Sequence, residues 1–343
     1  MVNRKYLTAI FLCVAFAGMS IISVSDISEA ASGAPSSANP IIIQVGYENA
    51  PGELIDRACQ EWQKNLSDIS AGTMQIQLFP SSQLGSKDEL LDQMIAGSNV
   101  VTLVNGGIFA DRGVGDFGIV FSPYLFSSWE DVEKLTASDW WNEQCSTAEG
   151  RHLKILAPWH YGSRHTLTKR PVKSPADLKG LKIRVPNNTY QVKGIQAVGA
   201  TPTPMPLTEV YTALQQGVID GLENPLTTLE GGAFYEVASY LILDGHIYDE
   251  TMWTCGTDFF NSLSSEQQNW LIESAKKAGL YNNNELEASN QAALERMVSN
   301  GVQVVDFNFS EFQTAAAPYY EDPELLAGWS QGLVEKVKTI LGK

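Results

Sequence analysis

Cysteine is scarce in this chain, with four in 343 residues and no CxxC spacing. Cys13 falls in an apolar N-terminal run, which leaves Cys59, Cys145 and Cys255. A set so odd and scattered argues against a disulfide framework and a structural zinc site. One bridge among the three stays open, and spacing does not choose the pair; buried small hydrophobes are the simpler expectation. Basic charge is also short: 23 Lys plus Arg face 39 Asp plus Glu, a formal charge of −16. Affinity for DNA, RNA or an anionic membrane comes from Lys and Arg neutralising phosphates, so these are excluded as main partners. A small anion remains open, because one local cationic pocket can outweigh the global sign.

Catalytic signatures are missing too. No GxSxG elbow and no HExxH occur. The four histidines are His152, His160, His165 and His246. His160 and His165 are five apart with Gly162 between them, which is not a helical metal face, so no metal is expected. Gly113 to Gly118 matches GxGxxG, but Ile119-Val120-Phe121-Ser122-Pro123 does not open a helix. Dinucleotide binding is therefore not expected, and a Gly-rich surface loop is. Paired acids are uninformative in so acidic a chain, and no cofactor is indicated.

What is present is core material: 44% hydrophobic residues, with 8 Trp, 12 Tyr and 13 Phe. Wholesale disorder is ruled out. At roughly 100–200 residues per domain, the length suits one large or two medium domains. Arg4 and Lys5 precede an apolar stretch from Leu7 to Val24, and Ser28-Glu29-Ala30 offers small residues at a signal-peptidase site. Residues 1–30 thus read as a cleavable signal peptide, which implies an exported, periplasmic protein. Residues 31–40 read as a disordered leader. No later run is apolar and long enough to cross a bilayer.

From Ile41 the pattern is α/β. Ile41–Gly46 reads as a buried strand, residues 52–66 as an amphipathic helix, and Met74–Phe79 as a half-buried strand. Lys87–Ile95 reads as a helix and Val100–Val104 as another strand, the signature of a largely parallel sheet. A second series starts near residue 160. Ser174-Pro175-Ala176-Asp177 opens a very short helix, and LKIRV (181–185) is a strand. Leu207–Gln216 reads as a helix, and Val218 begins a further strand. Ser264 with Gln267 forms a capping box whose helix is expected to end near Gly279. Helices over 284–299 and 323–341, separated by a strand over 302–307, complete the chain.

Arginine is the informative scarcity, since only seven follow residue 30. Arg184 stands between Ile183 and Val185, so alternation puts it on the opposite face from two core residues. Either an internal acid meets it, or it offers a planar fork to a ligand carboxylate.

The run from Arg164 to Asn187, which includes RPVKSPADLKGLKIRVPN, carries a resemblance. It continues in AVGATPTPMPLTEVYTALQQGVIDGLENP (197–225), and upstream LFPSSQLG (78–85) and PYLF (123–126) match as well. The chain resembles the extracytoplasmic solute-binding subunits of tripartite ATP-independent periplasmic (TRAP) transporters, the DctP-type family, over essentially its whole length after the leader. The resemblance implies a receptor rather than an enzyme. It implies a two-domain periplasmic-binding-protein α/β fold with a hinge and a long connecting helix, closing on its ligand and docking, as a monomer, on a membrane permease driven by an ion gradient. The expected domains are 41–162 with 251–289, and 163–250 with 290–343. By the same resemblance Arg184 anchors the ligand carboxylate, assisted by Arg164 and Asn224, with Tyr47, Glu48, Asn105 and Leu207 as further lining. Leu207 stands where an aromatic ring is common and Leu222 where Gln is common. Trp159, Tyr161, Tyr211, His246 and Trp253 are candidates for an aromatic wall. Sugar acids, C4-dicarboxylates, 2-oxo acids and aromatic acids all fit. The rival expectations are a sensor subunit for a membrane receptor and a periplasmic enzyme acting on a small acid.

Overall fold

The computed structural model describes residues 35–343; the signal-peptide reading and the first part of the leader lie outside the described residues. Nine strands form one mixed sheet: β1 (Ile41–Gly46), β2 (Met74–Phe79), β3 (Val100–Asn105), β4 (Leu153–Thr168), β5 (Lys182–Val185), β6 (Thr201–Pro204), β7 (Gly221–Pro225), β8 (Tyr240–Gly256) and β9 (Gln303–Val304). Their order is β2-β1-β3-β8-β4-β7-β5-β6, with β9 beside β8. β1, β2 and β3 are mutually parallel, as are β5, β6 and β7. Between the two parallel groups run β4 and β8, of 16 and 17 residues, antiparallel to each other and shared by both halves. Their register shifts between His160 and Gly162 and again between Arg164 and Thr166, so the ladder is broken at mid-length.

Each half is a sheet with apolar packing on both faces. Val101 and Leu103 of β3 join Ile43, Trp62, Trp159 and Trp253 on one side, while Val100 and Val104 join Leu90, Phe117 and Trp140 on the other. Ile183 and Val185 of β5 are buried in a third cluster and Leu222 of β7 in a fourth. The amphipathic helix Leu54–Ile69 buries Leu54, Ile55, Ala58, Cys59, Trp62 and Leu66, the stripe its spacing predicts. Ser86 with Glu89 and Ser264 with Gln267 form capping boxes, each starting its helix where the sequence places it.

Five expectations are corrected. The helix from Ser265 does not stop at Gly279 but continues to Ser299, for 35 residues. A Cβ on Gly279 would sit 2.6 Å from the Trp159 ring, so this glycine admits a close neighbour rather than ending the helix. The segment 323–341 is two helices, Pro323–Gly328 and Leu333–Leu341, parted at Gly332, whose φ is +77°. The strand expected over 302–307 shortens to Gln303–Val304. The GxGxxG stretch is no surface loop, because Gly115–Phe121 is a buried 3-10 turn. A Cβ on Gly118 would lie 2.0 Å from the Tyr190 ring. Finally, Ser36 and Asn39 exchange backbone hydrogen bonds of 2.9 and 3.1 Å, so part of the leader is a tight turn. Cys59, Cys145 and Cys255 are all free.

Candidate functional site

A small cavity opens where the parallel strands of both halves end against the crossing strands, at the carboxyl ends that commonly hold ligands in open α/β sheets. Its volume is about 20 Å³. Glu48 follows β1, Asn105 ends β3, Arg184 and Pro186 lie on and after β5, and Asn224 lies on β7. Tyr161 and Arg164 come from β4, Asp249 and Thr251 from β8. Lys87, Leu103 and Leu207 complete the wall.

The two arginines are equally buried, at 2% exposure each, and differently satisfied. Arg164 is held by acids of the protein. Its Nε and Nη2 donate to the Glu223 carboxylate, Nη2 also reaches the Glu223 carbonyl at 3.0 Å, and Nη1 donates to Asp249 Oδ2 at 2.7 Å. Burial opposes the charge, but Glu223 and Asp249 outweigh it and hold the proton more tightly than usual. Glu223, also buried, is held down to about 2 by Arg164 and His246. Arg184 instead donates from Nε and Nη2 to the carbonyl of Met205, at 3.0 and 2.8 Å. Among the described residues no acid forms an ion pair with it. Burial lowers its pKa to about 10, against the pull of Glu48 and Glu223. Its Nη1 makes no hydrogen bond among the described residues, leaving a charged donor on the cavity wall.

Glu48 pairs with Lys87 at 2.9 Å. Burial raises its pKa, yet Lys87 and Arg184 hold the carboxyl below its ordinary range. The Asn224 side chain has no hydrogen bond among the described residues, so its amide also faces the cavity. Asn105 is committed on one side: its Oδ1 accepts from Ile108 N–H at 3.0 Å, capping the next helix. Tyr161 lines the cavity with its ring, while its hydroxyl accepts from Asn49 at 3.1 Å and Thr228 at 3.2 Å.

Five expected residues lie elsewhere. Tyr47 is core, its hydroxyl donating to Asp56 at 2.6 Å. Trp159 and Trp253 form an edge-on cluster with Trp62, because β4 and β8 turn that face to the helices. Tyr211 is on the surface, bonded to Glu236 at 2.7 Å. His246 sits behind Glu223, 3.4 Å from it and 3.0 Å from Asp244. Burial opposes its protonation, but Asp244 and Glu223 raise its pKa to about 9. Leu222 is likewise core, so its exchange for Gln does not reach the wall. Reading the sequence missed Lys87, Asp249 and Thr251. Only the adjacent acids Asp249-Glu250, set between apolar runs of β8, offered a signal.

Two half-sheets joined by long crossing strands, with an unpaired guanidinium at their junction, define a bilobed ligand-binding protein. Residues 45–324 match the family of bacterial extracellular solute-binding proteins, family 7. The chain belongs to that family, whose members bind solutes and are not enzymes. It is 30% identical over 82% of its length to the 2,3-diketo-L-gulonate-binding periplasmic protein of Escherichia coli K12, 86% of which is covered. Two solved TRAP periplasmic solute-binding proteins are each 38% identical, over 88% of this chain and 99% of their own. That from Actinobacillus succinogenes, with bound L-galactonate, superposes with a TM-score of 0.84. That from Ochrobacterium anthropi, with bound L-fuconate, gives 0.85.

Proposed function

We propose that this protein is the exported receptor of a TRAP system, a monomer that closes on one small organic acid and delivers it to membrane permease subunits. Residues 41–162 with 251–289, and 163–250 with 290–343, are the two moving bodies, hinged where the register of β4 and β8 shifts. The observation that carries the reading is Arg184: a buried guanidinium whose only protein acceptor among the described residues is a carbonyl. A cation so placed is costly unless an anion meets it, and a carboxylate matches its planar fork. Arg164 has spent nearly all its donors on Glu223 and Asp249, so it shapes the site while Arg184 anchors. Closure excludes water, which strengthens the pair, and ligand favours closure only through contacts made in the closed form. The ligand class is a sugar acid, since the 38%-identical neighbours hold L-galactonate and L-fuconate. Calorimetric titration with L-galactonate, L-fuconate, succinate and the uncharged polyol galactitol tests this. A sugar acid binds tightly and galactitol does not. Equal affinity for galactitol rejects the carboxylate anchor.

A further inference from the structure

Besides Arg184 and Asn224, two buried polar atoms of β8 residues that line the cavity have no hydrogen-bond partner among the described residues. Asp249 is 2% exposed; its Oδ2 accepts from Arg164, but its Oδ1 is buried without a hydrogen bond. Thr251 is 1% exposed, and its Oγ1 is equally buried and unpaired. The residues are two apart, so strand alternation presents them on one face, and both line the cavity. Asp249 cannot readily swing away to satisfy Oδ1, because Arg164 grips its other oxygen and Glu223 in turn grips Arg164. The wall on β8 therefore offers a fixed acceptor and a hydroxyl. The wall on β5 and β7 offers a charged donor, Arg184, and an amide, Asn224.

A ligand complementary to both walls carries an anion at one end and hydroxyl groups along the rest. An alkyl or aromatic acid would leave Asp249 Oδ1 dehydrated and unpaired. A dicarboxylate would bring a second anion toward Asp249. We infer that Asp249 and Thr251 are specificity-determining residues that select a polyhydroxylated acid, with a ligand hydroxyl donating to Asp249 Oδ1 and another exchanging a hydrogen bond with Thr251 Oγ1. This rests on the reading of Arg184 as carboxylate anchor and adds the residues that choose among carboxylates. Specificity of this kind arises because the wrong ligand strands buried polar atoms.

The test is calorimetry on the full protein, with L-galactonate and hexanoate as probes, for wild type, Asp249→Asn, Thr251→Val, Thr251→Ser and Arg184→Ala. Asp249→Asn and Thr251→Val each weaken L-galactonate at least tenfold. The galactonate-to-hexanoate preference shrinks by about the same factor, and Thr251→Ser stays within threefold of wild type. If both probes weaken equally in Asp249→Asn and Thr251→Val, the residues merely support the wall and the assignment falls. If L-galactonate is lost in Arg184→Ala but stays within threefold in Asp249→Asn and Thr251→Val, this assignment falls while the anchor stands. Wild type that binds neither probe, or galactonate binding indifferent to Arg184→Ala, brings down the anchor and this assignment together.

Discussion

Arg164 and Arg184 line the same cavity at the same burial, yet one belongs to the crossing strands and the other to an inner strand of a parallel half-sheet, flanked by β6 and β7. On the crossing strands both cations near the cavity are answered by acids of the protein. Arg164 has Glu223 and Asp249, and His246 has Asp244 and Glu223. At β5 the answering group is one carbonyl. The first region is a lock built from the protein's own charges. The second leaves a charged donor without an acid among the described residues, the valence that we propose a guest anion completes. A buried cation with internal acids reports on folding; the same cation without them reports on binding.

Arg184→Ala is the sharpest way to break this contrast. It is expected to cost about 3–5 kcal/mol in affinity for the sugar acid, two to four decades in Kd, with a small change in melting temperature. Affinity within threefold of wild type would place the anchor elsewhere. Arg164→Ala should do the reverse first. Stranding Glu223 and Asp249 without their cation lowers unfolding free energy by about 3–5 kcal/mol, read by denaturant titration without ligand. A stable Arg164→Ala protein would mean that the lock is not one.

The pH dependence follows from His246. Its folded pKa, raised from 6.5 to about 9, means that its stabilising contribution is fully present below 6.5 and disappears as pH rises through about 9. The loss between pH 7 and pH 9 is roughly 2 kcal/mol. His246→Gln should remove that slope, and identical slopes in the two proteins would show His246 neutral in the fold. The smallest effect is expected outside both regions. Tyr211→Phe, at the surface beside Glu236, should leave affinity unchanged and stability within about 0.5 kcal/mol.

Local rules were legible wherever neighbours in sequence decide the outcome. The capping box at Ser264 starts its helix by bonds spanning three residues. Alternation in LKIRV set Arg184 against Ile183 and Val185 before any fold was known. The errors share a cause. Gly279 looks like a helix stop until Trp159, 120 positions earlier, is seen to need the space. Tyr47, Trp159 and Trp253 look like cleft aromatics until the helices that cover them are in place. The resemblance carried Arg184, Asn224, Glu48, Asn105 and Leu207 to the cavity wall but gave no hint that Arg164 would be spent on the protein's own acids.

The amino-acid order alone settled composition, charge, the strand and helix periods, and the face on which the scarce arginines stand, because those depend on spacing along one chain. Tertiary structure decided which buried charges are already paired and which still await a partner. Pairing depends on where distant strands meet: Glu223 of β7 and Asp249 of β8 reach Arg164, and neither reaches Arg184.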